Sequence, residues 1–242
     1  MTKNMLKLND SKTEVVLITP GYRANDIRIE KVQIGDSEVT ISTNARNIGV
    51  IFDQHLNMNA HITAVIKSCM IHLLNIARIR PYIDQPSCET LIHALISSRI
   101  DYENSLLYGL PRGQIDRLQK VQNIAARIIT KQRKYDHITP VLKSLHWLRV
   151  EHRILYKLLM ITFKAIHGIA PIYLSEIISV NEQKRSLRQK NRMKLLSVPR
   201  FNTATYGRRA FMNAAPTEWN RLPAKLRTIS EFQVFKPELK TF

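Results

Sequence analysis

Two hydrophobic periods divide the chain. Val15-Val16-Leu17-Ile18 is a short apolar run that ends at the breaker Pro20-Gly21, and Ile27-x-Ile29, Val32-x-Ile34 and Val39-x-Ile41 then alternate with polar residues around the turn signal Gly35-Asp36. Residues 27–41 therefore read as a β-hairpin. Ile48 to Phe52 is a further short apolar strand, closed by Asp53. From Asn57 the period changes from two to about 3.6. Ile62, Val65, Ile66, Cys69, Leu73 and Ile76 form one helical stripe that ends before Pro81, and a second helix carrying Leu91, Leu95, Ser98 and Tyr102 starts near Pro86-Ser87, with Glu89-Thr90 in its first turn. Leu110-Pro111-Arg112-Gly113 breaks the chain. Ile115, Leu118, Val121, Ala125 and Ile128 mark a third, amphipathic helix. Thr139-Pro140 begins a short fourth one. Arg153 to His167 reads as a fifth, apolar over much of its surface and therefore central. Gly168 is a natural cap for it, and Pro171 opens another short helix.

Beyond Val180 the texture shifts. Lys184, Arg185, Arg188, Lys190, Arg192 and Lys194 fall within eleven residues, unopposed by any acid after Glu182. Such a run is usually mobile without a partner. Phe201, Tyr206, Phe211, Trp219 and Phe232 then bring aromatic character back, which predicts that the tail packs on other parts of the chain.

Composition sharpens this picture. With 242 residues, 44% of them apolar, the chain can bury a real core. Lys and Arg outnumber Asp and Glu by 37 to 19, and the formal charge of +18 favours a polyanionic partner, although a merely solvated basic surface would show the same excess. Cys69 and Cys88 are too few for a disulfide framework, and no signal-peptide pattern opens the chain, so a reducing, intracellular setting, nuclear or cytoplasmic, is expected. Apolar runs such as Ile154 to Ile166 are interrupted by lysines well short of the ~20 residues that a span requires, so no transmembrane segment is expected.

Catalytic patterns are mostly missing. The sequence has no Gly-rich phosphate loop, no nucleophile elbow and no His-Glu-x-x-His. Cys69 with His72 and Cys88 with His93 are neighbours without a second ligand pair at zinc spacing, so both cysteines read as core or cap positions. His137, His146 and His152 read as structural or nucleic-acid-contacting.

Several blocks in order carry a resemblance: LKLNDSKTEVV, ARNIGVIFDQHL, ETLIHALISSRIDYENSLLYGLP, RLQKVQNIAARIIT, DHITPVLKSLHWLRVEHRI, FKAIHGIAPIYL and TYGRRAFMNAAPTEWNRLP. Together, over residues 1 to 240, they resemble the downstream half of the RNA-directed DNA polymerase of non-LTR, jockey-like retrotransposons. The resemblance implies an α+β chain in three parts: residues 1–55 as the end of a reverse transcriptase palm, 56–180 as a mainly helical thumb-like domain, and 181–242 as a basic C-terminal region. In that family the LN-x-x-KTE block follows the catalytic hairpin, and N-x-GV-x-x-D resembles the primer grip. The chain is accordingly expected to begin inside a domain, with the family's Phe/Tyr-x-Asp-Asp box upstream of Met1.

Two-metal nucleotidyl transfer needs clustered carboxylates, and this sequence has no Asp-Asp pair. The chain alone is therefore expected to be inactive and to hold no cofactor, the Mg²⁺ of the intact family enzyme belonging to the missing box. Lys12 stands at the Lys of the KTE motif, where the resemblance implies an accessory role toward the leaving pyrophosphate in an intact polymerase; in the chain alone it reads as a solvated turn residue after Asn9-Asp10. Asn47, Ile48, Gly49 and Val50 match the primer-grip block, with Gly49 allowing a close backbone approach or marking a bulge.

RNA and DNA are the expected partners. Arg112, Arg117, Lys120, Arg127, Lys131, Arg133 and Lys134 lie along or just after the third helix, spaced so that several share a face and follow a template-primer backbone. The cluster Lys184, Arg185, Arg188, Lys190, Arg192 and Lys194 is the other candidate surface. Trp147, Tyr135 and Trp219 are candidates for base stacking, though tryptophans among apolar neighbours are more often core. Unpaired palm strands are a further expected site of association. Two alternatives stand beside this: a domesticated, non-enzymatic basic nucleic-acid-binding protein, and a basic interaction module for acidic proteins or membranes.

Overall fold

The computed structural model describes residues 12–20, 29–35, 37–180, 194–203 and 206–242. The chain is α+β and divides into two compact units, Met1–Ser68 and Cys69–Phe242.

In the first unit β2 (Lys31–Ile34) and β3 (Ser37–Ser42) form the expected antiparallel hairpin, with Val32 opposite Val39. β1 (Val15–Val16) adds to β3 in parallel, giving the order β1-β3-β2. A second hairpin joins β4 (Asn44–Asn47) to β5 (Val50–Asp53). β4 has the sequence NARN and no apolar alternation, so only its partner was visible in the hydrophobic pattern. Asp53 closes β5 and organises the entry to the next helix: one carboxylate oxygen accepts from the amides of His55 and Asn57, both at 3.0 Å, and the other from the amide of Met58 at 2.6 Å. The Met58 amide is a donor that the start of a helix leaves without an intrahelical partner, and those of His55 and Asn57 belong to the turn before it.

α1 (Asn59–Ile79) follows, continued by a 3₁₀ turn at Arg80–Tyr82. Ile62, Cys69, Leu73 and Ile76 of the predicted stripe are buried, Val65 and Ile66 are half-buried, and Ile71 and Leu74 on the other side are exposed. Asn59–Tyr82 is, by length and composition only, apolar enough to cross a membrane, a test that core helices of soluble proteins also pass. This helix is longer than the apolar runs from which no transmembrane segment is expected.

In the second unit α2 (Gln85–Ile92) passes through one π-turn at His93–Ser97 into α3 (Ser98–Asp101). Asp84 is the N-cap, accepting from the Ser87 amide at 3.0 Å; hydrogen bonding from the Ser87 side chain, and then from this amide, holds its carboxyl below the usual range. The cap thus lies upstream of the Glu89-Thr90 pair. After a 3₁₀ turn at Asn104–Leu107 come α4 (Arg112–Thr130), α5 (Ile138–Ser144) and α6 (Val150–Ile166). Two buried glutamines of α4 hold the entry to α6: Gln119 accepts from the Val150 amide, and Gln122 donates to the Leu148 carbonyl, both at 2.9 Å. Arg149, at the N-cap, makes no side-chain cap of its own.

α6 is the central helix, packed against α4 and the C-terminal layer. After α7 (Ile172–Glu176), that layer consists of α8 (Phe211–Arg221), α9 (Ala224–Arg227) and α10 (Phe232–Thr241). Phe163 of α6 stacks on Phe235 at 4.4 Å between ring centroids, and Trp219, Leu222, Leu226 and Leu239 close around it. Each of these large side chains stabilises the fold by about 2–3 kcal/mol through apolar burial. The tail therefore packs on preceding helices, as its aromatic residues predicted.

Candidate nucleic-acid interface

α4 owes its orientation to a division of its surface. Leu118, Val121, Gln122, Ala125, Ala126 and Ile129 are buried. At about 100° per residue, Arg117, Lys120, Arg127 and Lys131 fall within an arc of about 80°, centred opposite that stripe. From Arg117 to Lys131 the rise is roughly 20 Å, the length of about six base steps along one strand. Lys120 and Lys131 are exposed, whereas Arg117 and Arg127 are half-buried. Arg117 donates to Gln114 at 2.8 Å. Arg127 donates to the Asp136 carbonyl at 3.2 Å, while its Nε is buried with no hydrogen-bond partner among the described residues. Arg112 lies off the arc and approaches Asp116 at 3.9 Å.

The helix ends on Lys131, in the left-handed region at φ 57°. Residues 131–137 after it are exposed throughout, including Arg133, Lys134 and His137. The Asp136 carboxylate accepts from the Arg133 amide at 2.7 Å and shapes this loop. Tyr135, 91% exposed, has the Lys134 ammonium 5.8 Å from its ring centroid. An exposed ring beside cations is suited to stacking on a base.

A residue that periodicity did not single out fixes the end of α4. The Arg80 guanidinium is buried and forms no close ion pair among the described residues; it donates to the carbonyls of Ile128 at 3.0 Å, Ile129 at 2.7 Å and Ile83 at 2.8 Å. Two of these belong to the last turn of α4, whose carbonyls have no intrahelical donors and carry the negative end of the helix dipole. The only signal in the sequence was an arginine placed just before Pro81.

The other candidates are distributed differently. Trp219 is fully buried, donating its indole N–H to the Lys194 carbonyl at 2.8 Å, so it is core and cannot meet a base. Trp147 is buried as well, with His93 edge-on at 5.5 Å and Arg153 5.9 Å from its ring centroid. Lys194 lies with its Nζ 3.1 Å from His167 Nε2. Lys184, Arg185, Arg188, Lys190 and Arg192 lie outside the described residues. His146 and His152 are exposed.

In the first unit Asn47, Ile48, Gly49 and Val50 form the tip of the β4-β5 hairpin, not a bulge. Asn47 pairs with Val50, and Ile48 and Gly49 both take positive φ, 45° and 81°. Lys12 is exposed just before β1.

Burial pushes the Cys69 thiol up to about 11 and raises that of Cys88, leaving both protonated and poor as ligands. Among the described residues no three of His, Cys, Asp or Glu converge. The metal pair that the polymerase resemblance implies does not fit the four carboxylates described in the first unit, of which Glu30 is exposed and the other three are already engaged. Asp53 is spent on three amides, Glu14 accepts from the Arg46 amide at 3.0 Å, and Glu38 pairs with Lys31 at 2.9 Å.

No family model matches the chain, and neither a curated protein nor a solved structure does.

Proposed function

We propose that the chain binds the sugar-phosphate backbone of RNA and DNA as the thumb-like and downstream portion of a retrotransposon RNA-directed DNA polymerase, gripping template and primer without supplying the catalytic carboxylates. The observation that carries this reading is the arc of Arg117, Lys120, Arg127 and Lys131, opposite the buried stripe of α4 and continued by the exposed loop with Arg133, Lys134 and Tyr135. Cations in a row along about 20 Å of rigid helix meet successive phosphates and position a strand without reading its sequence. The formal charge of +18 supports the same polyanionic partner, and the ordered sequence blocks support the polymerase context. Lys12 and the hairpin tip at Asn47 to Val50 are accessory in this reading, and no residue of the chain is assigned a catalytic role.

The test is equilibrium binding of the full chain to labelled duplex and single-stranded nucleic acid across a salt series. The logarithmic slope is expected near 0.9 per phosphate contact on duplex and near 0.7 on single strands. Charge reversal at two exposed positions, Lys120→Glu with Lys131→Glu, is expected to weaken binding by at least about tenfold with the circular dichroism spectrum unchanged. Unchanged affinity in that variant would move the interface off α4. Binding to acidic proteins or anionic vesicles that exceeds binding to nucleic acid would replace the partner class.

A further inference from the structure

A cavity of about 480 Å³ opens within the second unit, between α3, the loop entering α6, α6 itself and α10, and away from the basic arc of α4. Its wall brings together cations that are distant in sequence: Arg153 and Lys157 from α6, and Lys236 and Lys240 from α10. Asp101 is the one carboxylate there among the described residues, and Arg153 pairs with it at 2.5 Å. Burial lifts the Asp101 carboxyl above its ordinary range, against the pull of Arg153 and Lys157. None of the three lysines pairs with a carboxylate among the described residues.

A second feature of the wall is independent of charge. Asn104 lines the cavity and is only 2% exposed; its amide nitrogen donates to Asp101 at 3.3 Å, and its carbonyl oxygen has no hydrogen-bond partner among the described residues. Flipping the amide would set that oxygen against the Asp101 carboxylate, so the acceptor stays orphaned. A buried acceptor without a donor costs about 1–3 kcal/mol. The π-turn at His93–Ser97 borders the same wall through His93, and single π-turns frequently mark functional sites.

We propose that this cavity binds a phosphate ester carrying a hydrogen-bond donor beside its phosphate, the chemistry of a phosphorylated sugar or nucleotide. Lys157, Lys236 and Lys240 take the phosphate, and the Asn104 oxygen, sealed from solvent in this structure, accepts from a hydroxyl or amino group of the ester once its side chain rotates toward the cavity. The volume lies in the range of small-molecule sites. The site stands apart from α4, so its failure and that of the proposed backbone interface are separable.

The experiment is calorimetric titration of the full chain with adenosine monophosphate, ribose 5-phosphate and inorganic phosphate. Saturable binding of an ester is expected, at least about tenfold tighter than inorganic phosphate. Lys236→Gln with Lys240→Gln, both exposed positions, is expected to weaken it by about tenfold or more without shifting the thermal midpoint, whereas Lys120→Glu with Lys131→Glu leaves it unchanged. Asn104→Ala should bring the ester down to the level of inorganic phosphate. Displacement of the ester by a short single-stranded oligonucleotide assigns the phosphate to a strand, and failure to displace assigns it to a free ester. Absence of saturable ester binding, parity of ester and inorganic phosphate on the unaltered chain, or indifference to the α10 double substitution would each overturn the proposal.

Discussion

Tyr108 donates its hydroxyl proton to Glu218 Oε1 at 2.5 Å, joining positions 110 residues apart, and Arg221 donates to the same oxygen at 2.6 Å. Burial, together with the carboxylate beside it, holds the Tyr108 hydroxyl far above its ordinary range, so it is a donor at neutral pH. Arg209 reinforces the junction from the backbone side, donating to the Tyr108 carbonyl at 3.2 Å. Tyr108→Phe leaves the buried Glu218 carboxylate with Arg221 but one donor short. The expected cost is about 1–2 kcal/mol, read from the urea midpoint. An unchanged midpoint would mean that water replaces the phenol and that the junction is held by apolar packing alone.

Arg80 makes a sharper case, because the arrangement uses the shape of a guanidinium and not only its charge. Lysine at this position keeps the cation but cannot place three donors on the carbonyls of Ile83, Ile128 and Ile129 at once. Arg80→Lys is expected to destabilise the fold by about 2 kcal/mol and to speed amide exchange in the last turn of α4. Since that turn carries Arg127 and leads into Lys131, nucleic-acid affinity should fall in the same variant although no phosphate contact is removed. Exchange that remains slow would show that α4 is held by its buried stripe without the clamp.

What was legible beforehand follows the length of each periodic signal. Val32, Ile34, Val39 and Ile41 alternate cleanly, and the β2-β3 hairpin is where they place it. α4 and α6 are long enough for several turns of a 3.6 period to be counted. The aromatic residues of the C-terminal layer predict packing but not helices: α8 and α10 are short and carry Pro216 and Pro237 inside them, residues that normally argue against a helix interior. β4 is polar and exists through its pairing with β5. The basic face of α4 could be read from spacing, whereas Arg80 bonds carbonyls 48 and 49 positions away and leaves no local pattern. The cavity cations are scattered from position 153 to 240 and converge only because α10 packs on α6.

Ile48 adopts φ 45° at the β4-β5 tip and is 79% exposed. A β-branched residue in the left-handed region costs about 1–2 kcal/mol relative to residues that enter it readily. Ile48→Asn is therefore expected to stabilise the hairpin by about 1 kcal/mol, measured as slower amide exchange at Val50 and Ile51. In the proposed function this tip lies at the primer-grip block, so the same variant should bind nucleic acid more weakly. Higher stability with undiminished affinity would remove the tip from the interface and leave the strain without a functional counterpart.

His61 gives the first unit a pH dependence of definite sign. Its ring is buried, and Nδ1 accepts from the Ile51 amide at 3.5 Å, which requires the neutral imidazole. Burial, with Arg46 adding to it, lowers its pKa below the ordinary value of 6.5. Below 6.5 the unfolded chain takes up a proton that the folded chain resists, so the stability contributed by neutral His61 is complete above that pH and is lost as pH falls toward the lowered folded value. Exchange at the Ile51 amide should accordingly quicken, relative to its intrinsic rate, as pH drops from about 7 to about 5, before most carboxylates titrate. His61→Gln keeps a neutral acceptor in place across the whole range and should flatten that dependence. A slope that persists in the variant would assign it to other groups and show that the His61 ring is not the one resisting the proton.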